Sequence, residues 1–130
     1  MLIETILAVS INFGFHVTMT ETKQPATLHK VKGEYVLELS KDFVSNIDMD
    51  GLLFTLYHEQ AHIDLGHFDA VKAGTPLYDV EVEADRVALA KLKERLVCPS
   101  NAIKTVVQYR GWFDSTHPSR FTLSNMAKDF

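Results

Sequence analysis

The segment HEQAH, residues 58–62, holds two histidines and a glutamate at a spacing that suits metal chemistry. On a helix, His58 and His62 lie about 40° apart around the axis, so both imidazoles project to one side. Two ring nitrogens placed in this way suit one tetrahedral zinc ion. Glu59 is offset around the helix, where it can reach a water molecule at the metal and act as general base. The alternative is a polar helix face that is half exposed to solvent.

Catalytic zinc takes three protein ligands and leaves one position for water, so a third ligand must be found. His67 is the nearest candidate in the sequence. It stands one residue short of the third histidine of the extended metzincin pattern. We therefore interpret it as a histidine at the end of the helix and not as a ligand.

A second acidic segment, VEVEADRVALAKL, offers a better third ligand. Glu81 and Asp85 are four residues apart and share one face of a predicted helix. We expect Glu81 to bind the zinc and Asp85 to accept the free N–H of a zinc-bound histidine, which fixes the ring orientation. Glu83 is the rival ligand, but it projects from roughly the opposite face. The alternative for the whole segment is a solvated acidic surface.

The elements that must position these residues follow from periodicity and from turn residues. A helix beginning at Asp48 or Asp50 and stopping at Gly66 carries the histidine pair. Before this helix, the sequence predicts a helix over residues 2–12, a strand at 15–20, a hairpin of ATLHKV and EYVLEL around Lys32-Gly33, and a connector at 40–50. After it, the sequence predicts a loop at 67–75 and a helix from Pro76 to Leu96 capped by Thr75. A helix capped by Ser100 and a short helix in the tail complete the prediction.

These elements predict an α+β fold, with one small zincin-like domain over residues 1–130. We expect a short antiparallel or mixed sheet packed on the active-site helix and on the second metal-ligand helix. The EYVLEL strand is a candidate edge for pairing with an extended peptide, unless the fold covers that edge. Ala84 and Ala88 are small enough to let the two site helices approach closely.

Composition narrows the classes of function. The chain has 130 residues, 46% of them hydrophobic, and one cysteine, Cys98, which has no partner for an internal disulfide. The net charge is −4 and the basic residues are scattered, which argues against direct nucleic-acid binding. No apolar run is long enough to span a bilayer, and the N-terminal segment lacks the positive region of an export signal. We expect a cytoplasmic protein with no membrane association.

The paired motifs HEQAH and EVEAD resemble those of the gluzincin metallopeptidases. The segment HEQAHIDLGH followed by EVEADRVALAKLKERLVCPSNAI is most similar to the ImmA/IrrE family. The tail STHPSRF resembles the T-H-P segment of HtpX/CaaX-protease-type gluzincins. The resemblance implies His58, His62 and Glu81 as zinc ligands and Glu59 as catalytic base.

These observations predict a zinc-dependent peptidase. Its substrate is a protein or peptide, and the resemblance suggests a transcriptional regulator. An additional donor should stabilise the oxyanion, and His117 in the tail is a candidate because it precedes a proline in a predicted loop. The other candidate donors are Tyr109, Arg110 and Arg120. The alternatives are a zinc-containing module or inactive homologue that acts by binding a partner, and a purely structural zinc site, against which Glu59 argues.

Overall fold

A computed structural model of the chain describes residues 13–22, 24–95, 97–110 and 116–128. Within these residues the architecture is α+β, as predicted. The strands are β1 (His16–Thr20), β2 (Ala26–Val31) and β3 (Glu34–Ser40). The helices are α1 (Lys41–Asn46), α2 (Met49–Asp64), α3 (His67–Lys72), α4 (Leu77–Glu94), α5 (Pro99–Arg110) and α6 (Arg120–Ala127). The chain forms two compact units, divided between Ile47 and Asp48. The helix predicted over residues 2–12 lies outside the described residues.

The first unit contains a three-stranded mixed sheet in the order β1-β3-β2. β1 pairs with β3 in parallel, and β2 pairs with β3 in antiparallel fashion. Lys32 and Gly33 have φ angles of 51° and 81°, as the two central residues of a type I′ hairpin turn require. The hairpin prediction is therefore confirmed. The proposal that EYVLEL presents an edge is wrong, because β3 is the central strand and both its edges are paired.

The segment predicted as a connector between β3 and α2 contains a helix instead. Ser40 caps α1 by accepting a hydrogen bond from the Phe43 N–H at 3.3 Å. Phe43 and Val44 are buried. A helix of six residues is too short for its hydrophobic period to stand out in the sequence, and burial of these two side chains stabilises it.

In the second unit, α2 is the central element and packs against both α4 and α5. Asp48 is its N-cap, because the Asp48 carboxylate accepts a hydrogen bond from the Gly51 N–H at 2.8 Å. The helix ends at Asp64, and Gly66 adopts the left-handed conformation with a φ of 66°. The predicted start and stop signals are thus confirmed, with Asp48 chosen over Asp50.

α4 runs beside α2 and supplies the second set of site residues. Its N-cap is Pro76, which offers no side-chain hydrogen bond, so the prediction of Thr75 as the cap is wrong. Ala84 and Ala88 are completely buried, as expected of small residues at a close helix contact. Leu89 and Leu92 continue this buried face along the helix.

Two further boundaries differ from the sequence prediction. The segment expected to be a loop after Gly66 forms α3, which begins at His67. The next-to-last helix begins at Pro99 and not after a Ser100 cap. Proline suits this first helical position because the amide hydrogen it lacks would have had no partner within the helix. The short helix predicted in the tail is present as α6.

Candidate metal centre

The two motif histidines are buried on α2 and face each other one turn apart. Their Nε2 atoms lie 3.0 Å apart, and the rings meet edge to face. Both side chains are held inside the second unit because α2 is covered by α4 and α5. The structure therefore places His58 and His62 as the helical spacing predicts.

Glu81 reaches these nitrogens from α4. Its Oε2 lies 2.9 Å from His58 Nε2, and its Oε1 lies 3.3 Å from His62 Nε2. A tetrahedral zinc with ligand bonds of roughly 2.0–2.1 Å separates its ligand atoms by about 3.3 Å. The three predicted ligands are thus brought together at separations close to those of a metal site.

The Oε2 atom of Glu81 is buried without a hydrogen bond from any residue that the structure describes. Ring nitrogens of His58 and His117 lie 2.9 and 2.8 Å away, so the distance is short but the geometry is not that of a hydrogen bond. A buried carboxylate oxygen is costly unless it has a partner. Donor atoms that approach Glu81 Oε2 this closely, without giving it a hydrogen bond, suit a cation site.

Charge balance leads to the same conclusion. The carboxylates of Glu59, Glu81 and Asp85 are all buried. Among the lysine and arginine side chains that the structure describes, Arg110 is the one that contacts these carboxylates, through Asp85. In the state that binds a metal, the histidines are neutral and the carboxylates are ionised, so three carboxylates against one guanidinium leave two negative charges. A divalent cation would neutralise them, and nitrogen and carboxylate donors suit zinc.

Asp85 lies behind His58, as predicted. The Asp85 carboxylate accepts a hydrogen bond from His58 Nδ1 at 2.7 Å and is completely buried. Since this bond places the proton on Nδ1, a neutral His58 ring presents the Nε2 lone pair to Glu81 and His62.

Arg110 holds the Asp85 carboxylate from the other side. Its two terminal nitrogens lie 2.7 and 2.8 Å from the two carboxylate oxygens of Asp85. One of them also donates to the Pro118 carbonyl at 3.3 Å. Arg110 was a candidate oxyanion donor in the sequence, but its guanidinium is occupied by Asp85. The structure places it as the partner that links α4 to the segment around His117.

His117 approaches the centre from the segment before α6. Its Nε2 is 2.8 Å from Glu81 Oε2, and its ring centroid is 5.6 Å from that of His58. Potential ligand atoms of His58, Glu81 and His117 all lie within 4.8 Å of one another. The side chain is 29% exposed, so it stands where the buried centre meets solvent. The structure thus brings His117 to the site, within reach of either a substrate or a metal.

The contacts of His67 and Glu83 were not predicted from the sequence. His67 is buried, and its Nδ1 lies 2.8 Å from His62 Nδ1. Its Nε2 lies 2.8 Å from a carboxylate oxygen of Glu83. Neither residue contacts Glu81 Oε2 or His58 in the described structure. Both therefore lie behind the histidine pair, on the side of His62.

Burial and charge shift the pKa values within the centre. Burial alone would lower the pKa of His58, but Asp85 and Glu81 outweigh it and raise the pKa to about 10. Burial raises the pKa of Glu59 above its usual range despite the neighbouring histidines. Burial opposes ionisation of Glu81, yet contacts with His117, His58 and His62 hold its pKa well below normal. The surroundings favour a positive charge at His58 Nε2, which a proton or a metal cation can supply.

The cysteine takes no part in the described site. Cys98 is exposed and its pKa is lowered by a hydrogen bond with Ser100. The side chains of Tyr109 and Arg120 are not among the described ones, so their candidacy as oxyanion donors stays a prediction.

No protein-family model, curated protein or solved structure matches this chain. Among the described helices, none combines the length and the apolar character that crossing a membrane demands.

Proposed function

We propose that the protein is a zinc-dependent peptidase that hydrolyses peptide bonds of a protein substrate. The observation that carries the proposal is the meeting of three potential ligands, two histidines and one glutamate, at one buried point. Glu81 extends one oxygen to His58 and the other to His62, at 2.9 and 3.3 Å. Its Oε2 has no hydrogen bond among the described residues. The resemblance to gluzincins, in particular the ImmA/IrrE family, suggests a transcriptional regulator as substrate.

His58, His62 and Glu81 would hold the zinc. The bound ion would supply Lewis acidity, which acidifies a water molecule and polarises the scissile carbonyl. Asp85 fixes the orientation of His58 through its hydrogen bond to Nδ1, and Arg110 fixes Asp85. These contacts keep the donor atoms in place before the substrate arrives.

Glu59 is the proton carrier in this proposal. It follows the first ligand in sequence and is buried close enough to His58, His62, Glu81 and His117 to interact with each electrostatically. Its pKa is raised by burial, so it binds a proton more readily than an exposed glutamate does. It would take the proton of the attacking water and pass it to the leaving amine.

His117 would stabilise the developing oxyanion. It sits at the partly exposed side of the centre, with Nε2 2.8 Å from Glu81 Oε2. When a substrate carbonyl enters, an N–H at this atom can donate a hydrogen bond to the oxygen that gains charge. Pro118 follows it, and the Pro118 carbonyl is held by Arg110.

A second candidate function follows from the same position of His117. If His117 binds the metal as a fourth protein ligand, the site is closed and has no position for water. The domain would then be a zinc-containing module that acts by binding a partner. In that arrangement, His117→Ala would weaken zinc binding as strongly as Glu81→Ala does.

The peptidase proposal is tested by Glu59→Gln, with Glu94→Gln, an exposed glutamate on α4, as the matched control. Wild type and both variants are assayed for bound zinc, for melting temperature and for cleavage of a synthetic random-sequence peptide library by mass spectrometry. We expect Glu59→Gln to keep its zinc and its melting temperature and to lose cleavage by roughly 10²–10⁴-fold. Loss of zinc would make Glu59 a ligand. Equal behaviour of wild type and Glu59→Gln would favour the binding module.

A further inference from the structure

The structure places a second carboxylate behind the metal centre, connected to His62 through another histidine. His62 Nδ1 lies 2.8 Å from His67 Nδ1, and His67 Nε2 lies 2.8 Å from Glu83 Oε1. The three side chains come from three different helices: α2, α3 and α4. We propose that Glu83 and His67 are positioning residues that hold His62 in the tautomer and orientation needed to bind the metal.

The direction of the hydrogen bonds follows from the donors and acceptors available. The ionised Glu83 carboxylate can only accept, so His67 Nε2 carries a proton and donates it. A neutral His67 then has a bare Nδ1, which accepts from His62 Nδ1–H. A neutral His62 is left with its lone pair on Nε2, the atom that faces His58 and Glu81.

The two ligand histidines are therefore supported by different arrangements. His58 is held directly by the buried Asp85. His62 is held through His67 by Glu83, whose side chain is 57% exposed. Hydrogen-bonding partners of this kind set ring orientation and ligand basicity, and their loss typically weakens metal binding about 10–100-fold.

Burial shows why His67 needs these partners. Its side chain is only 6% exposed, so both ring nitrogens would lose solvent without compensation if His62 and Glu83 did not contact them. Gly66, in the left-handed conformation, lies two residues beyond the end of α2 and leads directly into His67. The short connection fixes His67 beside the ring that lies five residues earlier.

This inference rests on the metal-binding part of the proposed function, and its test separates the two. The affinity for Zn²⁺ is measured by competition with a chromogenic chelator for wild type, His67→Phe, Glu83→Ala and the double variant. Asp79→Ala is the matched control, because Asp79 is an exposed carboxylate one turn before Glu83 on the same helix. The melting temperature of each zinc-free variant is recorded so that loss of fold is recognised.

We expect His67→Phe to lose about 10–100-fold in zinc affinity and Glu83→Ala to lose about tenfold. Because Glu83 acts through His67, the double variant should be no worse than His67→Phe alone. His67→Gln should recover part of the loss, since its side-chain oxygen can accept from His62 Nδ1–H. In Co²⁺-substituted protein, His67→Phe should change the visible d–d absorption, which a change of overall stability would not do.

The outcomes are distinct. If wild type binds no Zn²⁺, both the proposed function and this inference fail. If wild type binds Zn²⁺ and His67→Phe binds it equally well with an unchanged Co²⁺ spectrum, the positioning role is refuted and the zinc site stands. Two further results would mean that Glu83 acts by its charge and not through His67. In one, Glu83→Ala lowers the zinc affinity by the same factor in wild type and in His67→Phe. In the other, Glu83→Ala lowers the affinity only as much as Asp79→Ala does.

Discussion

Replacing Arg110 by methionine should destabilise the second unit strongly, because it would leave the carboxylate of Asp85 buried without its cation. Asp85 is completely buried and the Arg110 side chain is 12% exposed. Both terminal nitrogens of the guanidinium contact the carboxylate, at 2.7 and 2.8 Å. Methionine fills a similar volume, so the change removes charge and hydrogen bonds more than packing.

The magnitude follows from the burial of the pair. Removing one partner of a buried ion pair costs about 3–5 kcal/mol. The hydrogen bond from His58 to Asp85 remains and offsets part of this cost. We therefore expect a loss near the lower limit, about 3 kcal/mol in the free energy of unfolding, which is roughly a hundredfold in the unfolding equilibrium. Against a total stability of about 5–15 kcal/mol, this loss is large.

Urea denaturation followed by circular dichroism measures the effect, with zinc in excess and again with a chelator, so that metal release and ion-pair loss are separated. Arg95→Met is the matched control, because Arg95 is exposed and lies over the ring of Tyr57 at 5.6 Å. We expect the control to lose no more than about 1 kcal/mol. A double variant that adds Asp85→Asn should lose less than the two single variants together, because the charges are removed as a pair.

The pH dependence gives an independent check. Burial would raise the pKa of Asp85, but His58 and Arg110 outweigh it and hold the pKa below its usual range. Stability that depends on a lowered pKa is present above the unfolded-state value of about 3.9 and is lost as the pH falls through the folded-state value. The difference in the free energy of unfolding between wild type and Arg110→Met should therefore be fully present at pH 7 and should shrink below about pH 4. A loss under about 1 kcal/mol at pH 7, or one that is constant with pH, would refute the ion-pair argument.

Further variants test the centre itself. Glu81→Ala should abolish tight zinc binding in equilibrium dialysis, since it removes the acidic donor that both histidines face; retained zinc would remove Glu81 from the ligand set. Asp85→Asn should still bind zinc but about 10–100-fold more weakly by chelator competition, because it disturbs the bond that orients His58. Unchanged affinity would contradict that role. His117→Ala should lower turnover of the peptide library far more than zinc content; an equal loss of both would make His117 a metal ligand.

Local periodicity was enough to predict the two pairs of residues that form the centre, one pair on each helix. The spacing of His58 and His62 is a property of one helix, and so is that of Glu81 and Asp85. Once two helices are known, packing their polar faces together brings both pairs to one place. Asp48 as a cap and Gly66 as a stop are also local signals, because each acts on backbone groups within a few residues.

The partners of Asp85 and His62 could not be predicted in this way. Arg110 contacts Asp85 across 25 residues, and that contact depends on how α5 packs. His67 reaches His62 because the chain changes direction at Gly66 and starts a new helix, whereas continuous helical geometry would have carried it away. The sequence predicts a loop for the following residues, since a six-residue helix gives little periodic signal.

Three of the acidic residues of α4 illustrate the difference. Glu81 and Asp85 share a face, and the sequence placed both near the histidines. Glu83 projects to another side, so the sequence indicated only that it differs from Glu81. Its contact with His67 became visible only when the position of α3 was known.

The left-handed glycine at the end of α2 gives the centre a recognisable signature in primary structure. Gly66 and His67 must follow the second motif histidine at fixed distances, because one inserted residue in a helix turns the following side chain by about 100°. Chains that combine H-E-x-x-H-x-x-x-G-H with a later E-x-E-x-D would carry both sets of residues that we propose to orient the two histidines: the aspartate for the first, and the Gly-His histidine with the middle glutamate for the second. Chains that lack the Gly-His pair would need another acceptor for the N–H of the second histidine, so the pair would divide proteins with the H-E-x-x-H motif into two types.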